Sequence, residues 1–289
     1  MPYTKTIRLV ILENFLILYD VDKFNSPPFD PLRGLFQKLP QSRLVSLDDL
    51  NVLLETVHGK ILNSNGQPVT FVCQTKKNRK FEETFEPRAF LKGEVLVRPN
   101  NCHDILNALV WIAFPKTKAV INHQQYLAIL DRARSNRSPR GDALTLFDED
   151  GVIVFSTSLE LIKLVRTFRW KDLFWKNRRK LMCEMKFIIF GHALYEKMLS
   201  PRLGVTGKSI LIYHPALAEK KIAELKNVDT ILSSYILEPK KLSHGRALSP
   251  VPILGLPGWY PESDNETFYD NINYFRLGRT KKKVEKEAL

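Results

Sequence analysis

Cysteine is scarce in this 289-residue chain: Cys73, Cys102 and Cys183 stand far apart, form no CxxC pair and make an odd total. That argues against a disulfide framework, and it fits a reducing compartment. Long apolar runs are missing as well. The stretch IRLVILENFLILY near the start is broken by Arg8, Glu13 and Asn14, so nothing reaches the ~20 apolar residues of a membrane-spanning helix. Too little positive charge precedes that stretch, and no small-residue cleavage site follows it, for a signal peptide. The expectation is a cytoplasmic protein with no transmembrane segment.

Two familiar signatures are incomplete. LGVTGKSILIYHP contains Gly-Lys-Ser but lacks the upstream glycine of a phosphate-binding loop, and it runs into a strand rather than a helix. The HExxH spacing of zinc proteases is absent. Acidic residues are the minority, with 31 Asp and Glu against 44 Lys and Arg, for a net charge of +13. The resulting pI near 9.6 favours anionic partners such as nucleic acid, phosphorylated metabolites or acidic lipid. A hydrophobic content of 44% with 26% charged residues is ordinary for a folded soluble protein large enough to bury a sizeable core.

What the chain does have is a polar concentration inside an apolar neighbourhood, from Asn100 to Gly151. His103 and Asp104 precede ILNALVWIAF, which is apolar nearly all round, as a buried helix is. Asp104 suits an N-cap, because its carboxylate can accept from free N–H groups of the first turn. Pro115 ends that helix and opens a second, from Lys116 to about Arg134. Asp104, Asn107 and Trp111 share one face of the first helix, while Lys116 and His123 share one of the second. Asn107 is the odd member, since a buried amide must find partners. Next, Ala143–Phe147 and Val152–Phe155 read as two strands of a hairpin around DEDG. The same letters, Asp148-x-Asp150 after a hydrophobic run, resemble the first motif of the haloacid-dehalogenase phosphatases. No acidic pair follows a later strand, so the hairpin is the better reading.

The segments HDILNALVWIAFPKTKAVINH, RSPRGDALTLFDEDG, FGHALYEKMLSP and PVPILGLPGWYP, in this order, resemble a bacterial family catalogued as domain of unknown function 3025. The resemblance runs from about Leu50 to Arg276 and implies no particular activity or cofactor. Relatives open the first segment with an aromatic before the histidine; Cys102 stands there in this chain.

Along the chain, residues 1–24 read as a strand or short helix, and SPPFDPLRG as a turn-rich linker. SLDDLNVLLETVHGK reads as an amphipathic helix capped by Ser46 and ended by Gly59, with His58 favouring the helix dipole. PVTFVCQ reads as a strand, KKNRKFEETFEPR as exposed, and EVLVRPNN as an extended lead into His103. In the basic aromatic stretch, Arg169, Lys171, Lys176, Arg178, Arg179 and Lys180 interleave with Trp170 and Trp175, a pattern that suits RNA or an anionic membrane surface. KFIIF-Gly-His reads as strand, turn and helix, placing His192 at a sheet edge with Glu196 one turn on. ALAEKKIAELKN is expected as an exposed helix and VDTILSSYIL as a buried one. The Pro/Gly-rich stretch 239–276 reads as a wrap, with Trp259 and Tyr260 covering a groove. Residues 277–289 read as a charged tail.

These features give an α+β protein: one compact unit over 1–276, with a lead-in at 1–45, a mixed sheet, surrounding helices and an irregular C-terminal wrap. The leading functional expectation is a hydrolase or transferase acting on an anionic, phosphate-containing substrate. His103 or His192 would move protons, with Asp104, Asp142 and Glu196 as further catalytic candidates. Asn107, Lys116, His123 and Arg140 would bind substrate. The cofactor is left open; a divalent metal is compatible with the sequence but not indicated by it. The alternatives are a nucleic-acid-binding protein using residues 169–180, and a protein-interaction module docking through the C-terminal wrap.

Overall fold

The computed structural model describes residues 21–74, 80–135, 138–215 and 227–279. It is an α+β structure with two sheets. The smaller is a parallel pair, β1 (Thr70–Cys73) and β2 (Glu94–Val97), in the register Thr70↔Glu94. The larger is mixed. Central β3 (Gly151–Ser156) runs antiparallel to β4 (Met185–Ile189) and parallel to β5 (Thr206–Tyr213), and β6 (Ser249–Pro252) closes the order β4-β3-β5-β6. All six residues of β3 are buried, as expected for a strand covered on both faces. In β6, Pro250 and Pro252 lie opposite Lys208 and Thr206.

SPPFDPLRG, expected as a linker, is helical. A 3-10 turn at Pro27–Phe29 runs into helix α1 (Asp30–Phe36), and Phe29 and Leu32 enter the core. Its prolines fall in first turns, where no N–H is needed. Helix α2 (Leu47–His58) carries the capping box of Ser46 and Asp49 and ends at Gly59. His58 does more than favour a dipole, because its Nε2 lies 2.7 Å from the carbonyl of Ile112. Residues 76–79 of KKNRKFEETFEPR lie outside the described set. Its remainder holds a 3-10 turn (Phe81–Glu83) and enters helix α3 (Phe85–Lys92), with Pro87 and Ala89 buried.

The apolar run after His103 is helix α4 (Cys102–Ala113), whose residues 104–112 are all buried. It lies at the centre of the helical layer, against α1, α2, β2 and two helices that follow. Pro115 starts the longest helix, α5 (Pro115–Ser135). The expected hairpin is absent. Residues 139–150 form helix α6 (Pro139–Asp150), capped by the Ser138 hydroxyl and opened by Pro139. Ala143, Leu144 and Phe147 are buried on one face, so the letters that alternate also fit the helical period. Asp148–Asp150 fall in its last turn, and β3 begins at Gly151 with β4, not a hairpin partner, beside it.

Helix α7 (Leu159–Arg166), a π-helical turn (Asp172–Lys176) and helix α8 (Arg178–Glu184) lead to β4. After β4, Gly191 precedes helix α9 (His192–Leu199). The buried helix expected in VDTILSSYIL is α10 (Val228–Leu237). The expected exposed helix before it falls on residues 216–226, outside the described residues, as do 1–20 and 280–289. Residues 239–276 hold short 3-10 turns and β6, and they bury Leu248, Val251, Ile253, Leu254, Tyr269 and Phe275. The buried apolar side chains form one cluster from Phe24 to Phe275. Among the described residues no helix is long and apolar enough to cross a membrane, and the three cysteines are free.

The joint between α6–β3 and β4–α9 is made of bare backbone. Phe190 N and Gly191 N both donate to Gly151 O, at 2.9 and 3.0 Å. A Cβ on Gly191 would stand 2.3 Å from both Glu149 O and Gly151 N. Its φ of −64° is open to any residue, so the demand is for space alone. Gly191→Ala is expected to cost about 1–3 kcal/mol by overpacking, read as a lower midpoint in urea. Gly34→Ala, whose Cβ meets nothing within 4 Å, should not destabilise.

Candidate active site

Helices α3, α4, α5, α6 and α9 converge on a cavity of about 320 Å³. The N-cap of α4 is Asn101, whose Oδ1 accepts from Asp104 N at 3.0 Å. Asp104 is therefore not the cap. Its carboxylate accepts from Arg98 N at 2.7 Å, Arg98 Nε at 2.8 Å and Arg98 Nη2 at 2.7 Å. This fixes the turn from which His103 projects. The sequence spacing pairs Glu196 with His192, but the structure gives it to His103: His103 Nδ1 lies 2.8 Å from Glu196 Oε2. His103 Nε2 is 3.0 Å from His192 Nε2. Glu149, in the last turn of α6, places Oε2 at 3.6 Å from His192 Nε2 and 4.0 Å from His103 Nε2. Asp148 Oδ2 is 3.8 Å from His192 Nδ1.

Below this group lies a buried cation. Lys118, from α5, is only 3% exposed. Its Nζ is 2.6 Å from Asp148 Oδ1 and 2.9 Å from Asn107 Oδ1, and 5.5 Å from the centre of the Trp111 ring. Asn107 thus finds its partner in a lysine rather than in a ligand. Glu86 of α3, which lines the same cavity, accepts from Asn122 Nδ2 at 2.6 Å.

These environments push the titrating groups apart. The hydrogen-bonded Glu196 carboxylate raises the pKa of His103. Burial lowers His192 to about 4 against the opposing pull of Asp148. Burial, with Asp148 adding to it, raises Glu86 to about 7, and burial also raises Glu149. Cys102, beside His103 in sequence, is held as a thiol by burial, at about 12.

Other expected residues lie elsewhere. Lys116 meets α10, its backbone N–H donating to Asp229 Oδ2 at 2.9 Å and its Nζ to Thr230 Oγ1 at 2.9 Å. Arg140 donates to the carbonyls of Ile236, Pro239 and Leu242 at the other end of α10. Arg140 therefore caps the C-terminal end of α10, while Asp229 of α10 caps the start of α5 at Lys116 and Thr117. The His123 ring stacks on Phe90, with centroids 4.9 Å apart. Asp142 is exposed and paired with Arg132, and only the arginine reaches the cavity wall. Sequence reading missed Lys118, Asp148, Glu149 and Glu86 as members of the site. Asp148 and Glu149 were assigned to a turn, and Glu86 to an exposed segment.

The basic aromatic stretch is largely spent on the fold. Trp170 is buried and donates from Nε1 to Arg276 O at 2.9 Å, and Trp175 packs against Tyr269. Arg169 and Lys176 pair with Asp172, Lys171 with Glu266 and Asp270, Arg178 with Asp264, and Lys180 with Glu160. Arg179 is exposed. The C-terminal wrap does not cover the histidine cleft. Trp259 and Tyr260 pack on the core, and the wrap instead lines a second cavity of about 400 Å³ with Lys208, Arg276 and Arg279. Among the described residues that cavity has no histidine or carboxylate on its wall.

Fold and site together define an α+β protein with an imidazole–carboxylate cleft at a helix–strand joint. The chain belongs to the family described as "Protein of unknown function (DUF3025)", whose model matches residues 69–279. That span holds every residue of the cleft. No curated protein and no solved structure matches the chain.

Two measurements probe the cleft. Lys118→Met would strand the Asp148 charge, at a cost of about 3–5 kcal/mol. The double change with Asp148→Asn should cost less than the two single changes summed, by at least about 1 kcal/mol, in chemical denaturation. The second concerns Glu86. Its folded pKa of about 7 stands above the ordinary 4.5, so between these values the native state holds a proton that the unfolded chain has lost. Stability from this group therefore falls as pH rises from 4.5 to 7. Glu86→Gln should remove that part of the pH dependence.

Proposed function

We propose that the protein is a hydrolytic enzyme whose reaction takes place in the cleft of His103, His192 and Glu149. The observation that supports it most is the convergence of two imidazoles on each other and on carboxylates from two helices, at one cavity wall. Titrating groups held in unlike states side by side are what acid–base catalysis needs. The imidazole–carboxylate end binds and activates a water. Glu86, with a carboxyl near neutrality, takes that water's proton as its oxygen adds to the substrate, then returns it to the leaving group. Glu196 orients His103, and Asp104 and Asn107 are positioning residues.

The substrate expected from the sequence is anionic. Support for that now rests on Arg132 at the rim, where an exposed ion pair with Asp142 costs little to exchange for a substrate anion. The nucleic-acid reading has less support, because stacking needs exposed rings and Trp170 is buried.

A panel of ester, amide and phosphomonoester substrates tests the reading. His103→Ala and His192→Ala should each lower kcat/KM about 10²–10⁴-fold, whereas Lys116→Ala and Arg140→Ala should leave it within a few-fold. With Glu86 as base, kcat/KM should rise with pH through about 7, and Glu86→Gln should erase that limb. Turnover surviving in the double histidine variant would sink the assignment.

A further inference from the structure

We propose that His103, His192 and Glu149 hold a divalent transition metal of the zinc class, with a water at a fourth position facing the cavity. The proposal deepens the hydrolytic reading of the same cleft, but the binding site stands on geometry of its own. His103 Nε2, His192 Nε2 and Glu149 Oε2 form a triangle with edges of 3.0, 3.6 and 4.0 Å. A tetrahedral zinc with bonds of 2.0–2.1 Å sets its ligand atoms about 3.3–3.4 Å apart. The observed edges straddle that value, and no other described His, Cys, Asp or Glu cluster of three meets on this scale.

Hydrogen-bond accounting leads to the same place independently. A neutral imidazole carries one N–H. His103 must place its own on Nδ1, facing the Glu196 carboxylate at 2.8 Å, which leaves a lone pair on Nε2. If His192 answers with an N–H on Nε2, its Nδ1 becomes a bare lone pair. That atom is buried with no hydrogen-bond partner, and the residue is 4% exposed. It would then face a carboxylate oxygen of Asp148 at 3.8 Å, lone pair against negative charge. If His192 instead carries its proton on Nδ1, toward Asp148, then two imidazole lone pairs and a carboxylate oxygen face one another. A cation among those three atoms turns this arrangement into a satisfied one. His103 Nδ1–H is then held by Glu196 at 2.8 Å, as in metal-bound histidines whose outer partners fix ring orientation, and His192 Nδ1 stands 3.8 Å from Asp148. In the metal-free chain a proton on His103 Nε2 can fill the same gap, and metal displaces it.

Ligand type and access narrow the choice. Two nitrogens and one oxygen suit zinc, iron(II) or cobalt(II) over the oxygen-seeking magnesium and calcium. The His192 side chain is 5% exposed, that of His103 30% and that of Glu149 41%, so the triangle is closed behind and open toward the cavity. A metal there would also supply the positive charge that Lys116 and Arg140, turned to α10, do not bring.

The test uses the full chain, stripped with chelator and titrated with Zn²⁺ and with Co²⁺. Expected are one equivalent bound per chain and visible Co²⁺ bands of a four- or five-coordinate site. Binding should be lost in His192→Ala and Glu149→Gln. Glu196→Gln, which removes an outer partner and no ligand, should weaken affinity about 10–100-fold. Circular dichroism checks each variant, and the Co²⁺ spectrum of the unaltered chain needs none of them. Binding no tighter than that of a His103→Ala, His192→Ala, Glu149→Ala triple variant overturns the proposal, as does a preference for Mg²⁺. Turnover that survives complete metal removal but dies in His103→Ala overturns the metal and keeps the hydrolase. One bound metal without turnover on any substrate keeps the metal and overturns the hydrolase.

Discussion

Two stretches of backbone pass each other between Glu149 and Gly191 with no side chain to separate them, and the cleft exists because of that contact. Since β3 and β4 are antiparallel, the end of one strand lies beside the start of the other. The helix entering β3 and the helix leaving β4 therefore meet at one sheet edge. Acidic residues at the end of α6 would be disfavoured by that helix's own dipole. The N–H groups of Phe190 and Gly191, just before α9, bond Gly151 O beside that end. Lys197 adds a direct pair to Asp150. A joint that carried a methyl group would hold the two helix ends apart, and Glu149 and His192 with them.

Electrostatics in this protein are divided between outside and inside. The chain carries a net charge of +13, yet the wall of the histidine cleft bears Glu86, Asp104, Asp148 and Glu149 against Arg98 and Arg132, with Lys118 buried behind it. The inner cations are matched, Lys118 to Asp148 and Arg98 to Asp104. Many of the other basic side chains singled out by sequence tie one element to another. Lys171 and Arg178 reach acidic residues of the C-terminal segment, which holds that segment to the layer beneath it. Net charge described the surface, and it misdescribed the pocket.

The elements that could be read from sequence were those with a local cause. Ser46 with Asp49, Pro115, and the continuous apolar run after Asp104 each fix a helix through contacts within a turn or two. The α+β class and the place of His192 after a strand followed from the same kind of signal. Residues 143–155 failed because a five-residue apolar alternation fits both periods. What decided between them was Ser138 and Pro139 starting a helix, together with β4 some thirty residues on as the partner of β3. The candidate site was half legible. His103, His192 and Glu196 do meet, but with Glu196 on the other histidine, because helix spacing registers neighbours along one helix and not across two. Lys116 and Arg140 were misplaced for the same reason, since nothing local reveals that α10 would meet one of them at each end. Lys118 stands two residues from Lys116 at the start of α5, and only its burial sets it apart.

The two prolines of β6 bear on how this molecule can associate. Ile253 N donates inward to Val205 O, so in the alternation of a strand the nitrogens of Pro250 and Pro252 point away from β5. Proline has no hydrogen there to offer. Along this outer margin an incoming chain would find acceptors without donors, and a ladder cannot form on acceptors alone. At the opposite margin, β4 lies against the proline-rich turn at Pro27–Phe29 and against α1. Self-assembly by strand addition, the route by which exposed sheets polymerise, is thereby discouraged at both ends of the four-stranded sheet.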